Sequence, residues 1–191
     1  LYGYAVDHEF LMPGKMLRTR FAARLALCDM MSLNLDTLVR ACAATELAHT
    51  ASLFHDDVID RGLVRRGLPT LWRTTGPSGA ILIGDLLFCE AMDLVVEIAG
   101  ARYIKNFVSK VREVCSAEIE QELVLRGKHL DESICLRIAR SKTGPLFAFV
   151  GYVCGGEDAS LSSALEEAGY LIGTAYQLVD DLLDVVGNEQ L

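Results

Sequence analysis

Apolar residues recur three and four positions apart along nearly the whole chain, and no run alternates apolar and polar positions as a half-buried strand would. That period predicts helices. The first covers Lys15 to Met31. A second, capped by Asp36, runs to about Asp60 and carries Leu38, Cys42, Leu47, Ala51 and Phe54 along it. Arg61 to Pro69 is polar and contains glycine, so it reads as a connection. Pro77, after Gly76, opens a helix that reaches Ile98, with Gly100 as its stop. Another spans Tyr103 to Leu125 and exits at Gly127. Asp131 caps the next, which continues to Cys154 and ends at Gly155-Gly156. Gly144-Pro145 should break or kink it, because proline lacks a donor and crowds the preceding turn. Ser160 or Ser162 begins the last helix, which stops near Gly187. No linker, internal repeat or low-complexity tract interrupts the series. The expectation is one all-α domain over residues 1–191, a bundle of long helices.

Composition agrees with a packed core. Of 191 residues, 51% are hydrophobic and 23% charged, too apolar for a disordered chain. The formal charge of −8 argues against general nucleic-acid binding, so an anionic ligand would have to be met by local cations or a bound metal. Six cysteines are scattered among apolar neighbours without a close pair, which predicts reduced core residues and a cytoplasmic location. No apolar run reaches the roughly 18 residues of a transmembrane helix, and no signal peptide is visible. The chain begins at Leu1 rather than Met, which leaves room for an upstream targeting segment.

Two aspartate triplets change the picture most: Asp56, Asp57 and Asp60, and Asp180, Asp181 and Asp184. They share one spacing, and each lies in an apolar stretch. On a helix, residues four apart share a face and the adjacent aspartate stands beside it. Both triplets fall near helix C-termini, where the dipole disfavours carboxylates. Convergent carboxylates in apolar surroundings call for a cation, and an all-oxygen set without Cys or His points to Mg²⁺ with substrate phosphates. Solvated helix ends are the bland explanation for one triplet, but they do not explain two that match.

Cations stand at matching places. Gly14-Lys15-Met16-Leu17-Arg18 puts two of them three apart at a helix start, where free N–H groups also favour phosphate. Arg65-Arg66-Gly67 follows the first triplet and offers two guanidinium forks. His49 lies two turns before Asp56 on the same stripe, while His55 directly precedes the triplet as a candidate supporting donor. Lys142-Thr143 precedes the expected helix break, and Gln177 stands about one turn before the second triplet. Each of these is unremarkable alone.

Together they resemble the trans-type isoprenyl diphosphate synthases, the head-to-tail polyprenyl synthetases. The resemblance runs from Gly14 to Gly187: Gly-Lys-x-x-Arg, His-Asp-Asp-x-x-Asp, Arg-Arg-Gly-x-Pro-Thr, Lys-Thr and Gln-x-x-Asp-Asp-x-x-Asp, in family order. Asp85 in Gly84-Asp85-Leu86-Leu87 and the run Glu118-Ile119-Glu120-Gln121 also look like family signatures. The resemblance implies mostly antiparallel helices around a central cavity and a homodimer. It implies that Asp56, Asp57 and Asp60, with Asp180, Asp181 and Asp184 opposite, hold Mg²⁺ on an allylic diphosphate. Arg65, Lys142, Thr143 and Gln177 would contact that substrate, while Lys15, Arg18, His49 and Arg66 would bind isopentenyl diphosphate. The implied reaction is metal-assisted ionisation of the allylic diphosphate, attack by the isopentenyl double bond, and loss of a proton to the released diphosphate.

The chain departs from the family pattern at Met16 (usually Arg), Thr19 (usually Pro), Trp72 (often His) and Tyr176 (usually Phe). Compared with the family it also looks shortened, without the usual N-terminal helix or the helices after the second triplet. Ala51 and Ser52, five and four before Asp56, are the expected chain-length positions. Neither is aromatic, so the implied product has at least about four isoprene units (C20). Two alternatives remain at this level. One is a non-catalytic subunit of a heteromeric prenyl synthase. The other is a terpene cyclase, whose second metal motif normally mixes Asn, Ser or Thr, and Glu.

Overall fold

The computed structural model describes residues 14–28 and 34–186. Six helices follow one another: α1 (Leu17–Ala26), α2 (Leu35–Ile59), α3 (Leu71–Val96), α4 (Ala101–Glu120), α5 (Glu132–Cys154) and α6 (Ala159–Val186). The expected ends of the first and last helices, at Met31 and Gly187, lie outside the described residues. Asn34, not Asp36, caps α2, its side chain accepting from the Asp36 and Thr37 amides. Asp131 caps α5 as expected. At the start of α6 the amides of Ser160 and Leu161 donate to Asp158, so the cap stands before either expected serine. The aspartate wins at both helix starts because its carboxylate accepts from amides that have no partner within the helix.

Three other expectations are corrected. The stretch 61–69 is not irregular throughout: β1 (Val64–Arg65) and β2 (Leu68–Pro69) form a small antiparallel hairpin. Its two turn residues, Arg66 (φ 53°) and Gly67 (φ 78°), are both left-handed, as the tightest hairpin turns require. The third long helix starts at Leu71, six residues before Pro77, and is bent at Gly76 (φ 75°). Four of the six cysteines are exposed, and only Cys42 and Cys154 belong to the core; all six are free thiols.

The Gly144-Pro145 break is absent as well. The helix α5 runs continuously through both residues, with Pro145 fully buried. Gly144 serves packing instead. A Cβ there would lie 2.7 Å from the Tyr170 ring, and one on Gly173 would lie 2.7 Å from the Gly144 Cα. Gly169 against Phe147 and Gly151 against Leu165 continue the same seam, which brings the α5 and α6 backbones into contact and fixes them antiparallel.

Cross-helix pairs give the remaining directions. Arg40 pairs with Glu97 and His55 with Asp85, so α2 and α3 are antiparallel. Tyr103 meets Tyr152 and Lys142 meets Glu118, so α4 is antiparallel to α5 and hence parallel to α6. The largest buried cluster joins α2 to α5 through Ala41, Ala44, Ala48, Ala91, Val95, Phe107, Phe149 and Val153. Alanines on α2 let the larger residues of α4 and α5 approach, which stacks the bundle closely. The C-terminal ends of α2 and α6 and the middle of α5 thereby meet around one space.

Candidate active site

That space is a cavity of about 850 Å³ between α1, α2, the hairpin, α5 and α6. Nine of the expected site residues line it: Lys15 and Arg18 from α1 and the segment before it, His49 and Asp57 from α2, Arg65 and Arg66 from the hairpin, Thr143 from α5, and Gln177 and Asp180 from α6. Between them stand Leu47, Leu53, Phe54, Leu71 and Phe147, so the walls are apolar with polar groups at few points.

The α1 side is cationic. Arg18 lies over the Phe147 ring, its centroid 5.1 Å away, and its Nε is buried without a hydrogen-bond partner among the described residues. Burial lowers its pKa to about 10, although Glu46 and Tyr176 work in the other direction. His49 is held well below the usual histidine value, first by burial and then by Arg18, Arg66 and Arg65. It is therefore a neutral imidazole facing three guanidinium groups. Gly14 lies so close to Arg66 that a Cβ would collide with the guanidinium carbon at 2.6 Å. Burial is the first cause of both shifts, and Glu46 is the carboxylate that lines this wall beside Arg18.

The other side is acidic. Burial, then Glu118, raises the Asp56 pKa to about 7; Lys142 lowers it, Asp60 raises it further and Arg65 lowers it. Asp57 is 5% exposed, and its carboxylate accepts from Arg65 at 2.8, 2.9 and 3.1 Å. Thr143 donates to Gln177 (2.5 Å), whose amide donates to Asp181 (2.7 Å), so α5 orients the second triplet through α6.

Several expected residues stand elsewhere. Adjacent aspartates diverge by about 100° on a helix, so Asp57 faces the hairpin while Asp56 faces α4, off the cavity wall. Lys142 also turns to α4, contacting Glu118 (2.8 Å) and Gln121 (3.2 Å), the latter in a single π-helical turn at Gln121–Leu125. Asp60 and Asp181 are exposed at the rim, and Asp184 lies in α6 with its side chain outside the described residues. His55 does not support the triplet; its ring meets the Ile81 carbonyl (3.1 Å) and Asp85 (3.4 Å) on α3. Ala51 is fully buried with Phe54, Leu71, Ala80 and Leu87 against α3, and neither it nor Ser52 lines the cavity.

Among the described residues no three acidic, His or Cys side chains gather as a ready cation site, so Asp56, Asp57 and Asp60 do not converge on one point as expected. The reason is the divergence of Asp56 from Asp57 and the capture of Asp57 by Arg65. The donors nevertheless fit Mg²⁺, which keeps several waters and takes only one or two carboxylates plus phosphate oxygens. Asp56 is half-buried, with Glu118 and Asp60 acting against its charge and Lys142 and Arg65 for it, and Asp57 and Asp180 offer oxygen donors to the cavity.

Sequence reasoning assigned no role to Glu46, Glu118 or Trp72. Glu46 accepts from both the amide and the hydroxyl of Thr19 (3.3 and 3.0 Å) and so fixes the start of α1, where Met16 provides no side-chain cap. Glu118 and Gln121, three apart and hence on one face, were legible as a pair aimed at one target, here Lys142.

Comparison with known proteins then decides the family. The polyprenyl synthetase family model matches residues 2–191. The chain belongs to the polyprenyl synthetase family. The chain is 34% identical over 192 residues to a geranylgeranyl diphosphate synthase of Methanosarcina mazei, covering 96% of this chain and 59% of that protein. It is 34% identical to an octaprenyl diphosphate synthase of Haemophilus influenzae, covering 78% and 46% respectively. The crystal structure of a polyprenyl synthase from Caulobacter crescentus, complexed with calcium and isoprenyl diphosphate, matches with a TM-score of 0.83 and 34% identity over 92% of this chain and 54% of that one. The chain thus spans about three fifths or less of the length of these relatives.

Proposed function

We propose that this protein is a prenyltransferase that condenses an allylic diphosphate with isopentenyl diphosphate, giving a trans-polyprenyl diphosphate of at least about four isoprene units (C20). One observation carries the reading: a single apolar cavity is lined on one side by Lys15, Arg18, His49, Arg65 and Arg66 and on the other by Asp57 and Asp180. Two diphosphates and a divalent cation suit both sides. The names of relatives, from geranylgeranyl to octaprenyl diphosphate synthase, support the chemistry and the product size.

Lys15, Arg18, His49 and Arg66 hold the isopentenyl diphosphate, with neutral His49 as a hydrogen-bond partner among cations. Arg65, Thr143 and Gln177 hold the allylic diphosphate, and Lys142 acts from the α4 side next to Asp56. A phosphate oxygen that takes over Arg65 releases the Asp57 carboxylate. Mg²⁺ held by Asp56, Asp57, Asp60, Asp180, Asp181 and Asp184 would supply neutralisation of the leaving diphosphate. The allylic C–O bond breaks with its electrons leaving on diphosphate, the isopentenyl double bond forms the new C–C bond, and the released diphosphate takes the proton. Leu53, Phe54, Leu71 and Phe147 keep water from the allylic cation.

Asp180→Asn tests the acidic wall without touching the fold, since Asp180 is exposed. The account expects kcat to fall at least about 100-fold with the melting temperature unchanged. Undiminished turnover would contradict it. The competing reading as an accessory subunit draws on a Geobacillus stearothermophilus relative named heptaprenyl diphosphate synthase component 2, 33% identical over 98% of this chain. Turnover by the isolated protein excludes that reading, and a need for isopentenyl diphosphate excludes a cyclase. We also infer a homodimer, supported by exposed Ile81, Leu82, Met92 and Val96 on α3. Its cytoplasmic setting is supported by the six free thiols, and no described helix is long and apolar enough to cross a membrane.

A further inference from the structure

The hairpin that carries Arg65 and Arg66 is an improbable piece of backbone. Arg61 (φ 55°) and Arg66 (φ 53°) are both non-glycine residues in the left-handed region, a conformation that persists only where neighbours over-determine it. The hairpin itself has only two residues per strand. Isolated ribbons of that size do not hold their shape in water.

One carbonyl supplies the missing restraint. The Gly62 oxygen accepts from the Trp72 indole Nε1 (2.7 Å) and from the Thr70 hydroxyl (2.7 Å). Both donors stand at the start of α3, and the two bonds fill both lone pairs of the oxygen. The same residue's amide donates back to the Asp57 carbonyl (3.0 Å), and the Thr70 amide donates to the Leu63 carbonyl (3.2 Å). The Trp72 ring packs onto the buried cluster of Ala51, Phe54, Leu71 and Leu87, so the donor is anchored on a rigid surface. The Gly62 peptide thus ties the end of α2 to the start of α3, and the arginine hairpin is the strand of chain between the two ties.

We propose that Trp72, with Thr70, is a positioning residue for the diphosphate site: its indole N–H holds the Gly62 carbonyl so that Arg65 and Arg66 are aimed into the cavity. This rests on the diphosphate reading above, and it assigns a role to a residue for which the sequence offered none. Thr70 lines the cavity but Trp72 does not, so an effect of Trp72 reaches ligand only through the groups it positions.

The test is isothermal titration of inorganic pyrophosphate with Mg²⁺ into the intact protein, beside steady-state kinetics. Trp72→Phe keeps the ring and removes the donor. Its affinity for pyrophosphate should fall about five- to tenfold, the usual weight of a lost hydrogen bond. The KM values for both diphosphates should rise by the same factor, with kcat within about twofold, because the arginines bind ground and transition states alike. Thr70→Val should move the same readouts in the same direction, and Trp72→His, which retains a ring N–H, should recover part of the loss. Wild-type-like pyrophosphate affinity in Trp72→Phe, or a fall in kcat with KM unchanged, would overturn the assignment. A wild-type protein that binds no pyrophosphate would refute the diphosphate reading itself, which separates the two failures.

Discussion

At the scale of single residues, the titrating groups show how strongly the fold buries charge. His49 is neutral in the fold because burial and the facing arginines disfavour its proton. The unfolded chain binds that proton at about pH 6.5, the native chain only well below it, so acid favours unfolding. The stability contributed by neutral His49 is complete above about pH 6.5 and is lost as pH falls below it. Melting temperatures compared between about pH 7.5 and about pH 5.5 should therefore fall more in the wild type than in His49→Gln, which has no proton to gain. Equal losses would contradict the buried, cation-flanked placement. The aspartates, the arginine pairs and His49 were legible as residue types at telling spacings. The division of labour between Asp56 and Asp57 was not, because it depends on how α2 is rotated against the hairpin and α4.

At the scale of elements, α2 and the α5–α6 seam decide what can be altered. Ala51 was the expected floor of the product tunnel, but it is packed against α3, where a Cβ on Gly84 would come within 3.3 Å of the Ala51 carbonyl. Ala51→Phe should thus overpack the α2–α3 contact and cost about 1–3 kcal/mol, which obscures any effect on chain length. Ser52 is half-buried, its hydroxyl donates to the His49 carbonyl of its own helix (2.8 Å), and like Ala51 it does not line the cavity. Ser52→Phe should therefore leave the longest product unchanged, as product chromatography would show. A shortened product distribution would place this face in the tunnel.

The seam makes a second element-scale prediction. A methyl added at Gly151 would collide with the Leu165 backbone, which has no flexible side chain to give way. Gly151→Ala should lower stability by about 1–3 kcal/mol, despite alanine's better helix propensity, and denaturant unfolding would measure it. A stabilised variant would show that α5 and α6 are not in backbone contact. Local rules predict a break or kink at Gly144-Pro145, because they weigh proline's missing donor and cannot see that Gly144 faces Gly173 across another helix. The short hairpin was missed for a related reason: two-residue strands have no period to detect, and its turn places an arginine where asparagine or glycine is usual.

At the scale of the whole molecule, the helical period along the chain made the all-α bundle legible, and the ordered motifs made its family legible. What the chain order could not show is which helices face one another. Antiparallel packing of α5 against both α4 and α6 brings Thr143, Gln177 and Asp180 opposite Asp57, although well over a hundred positions separate the two aspartates in sequence. The site is therefore a property of three helix ends and one hairpin meeting, and its electrostatic halves exist only in the assembled fold. The most direct test is incorporation of radiolabelled isopentenyl diphosphate into extractable prenyl products by the intact protein, with several allylic starters, with and without Mg²⁺. The account predicts products that require both diphosphates and the metal and reach at least about C20. A folded protein that gives no such product alone, yet stimulates a second chain, would contradict it.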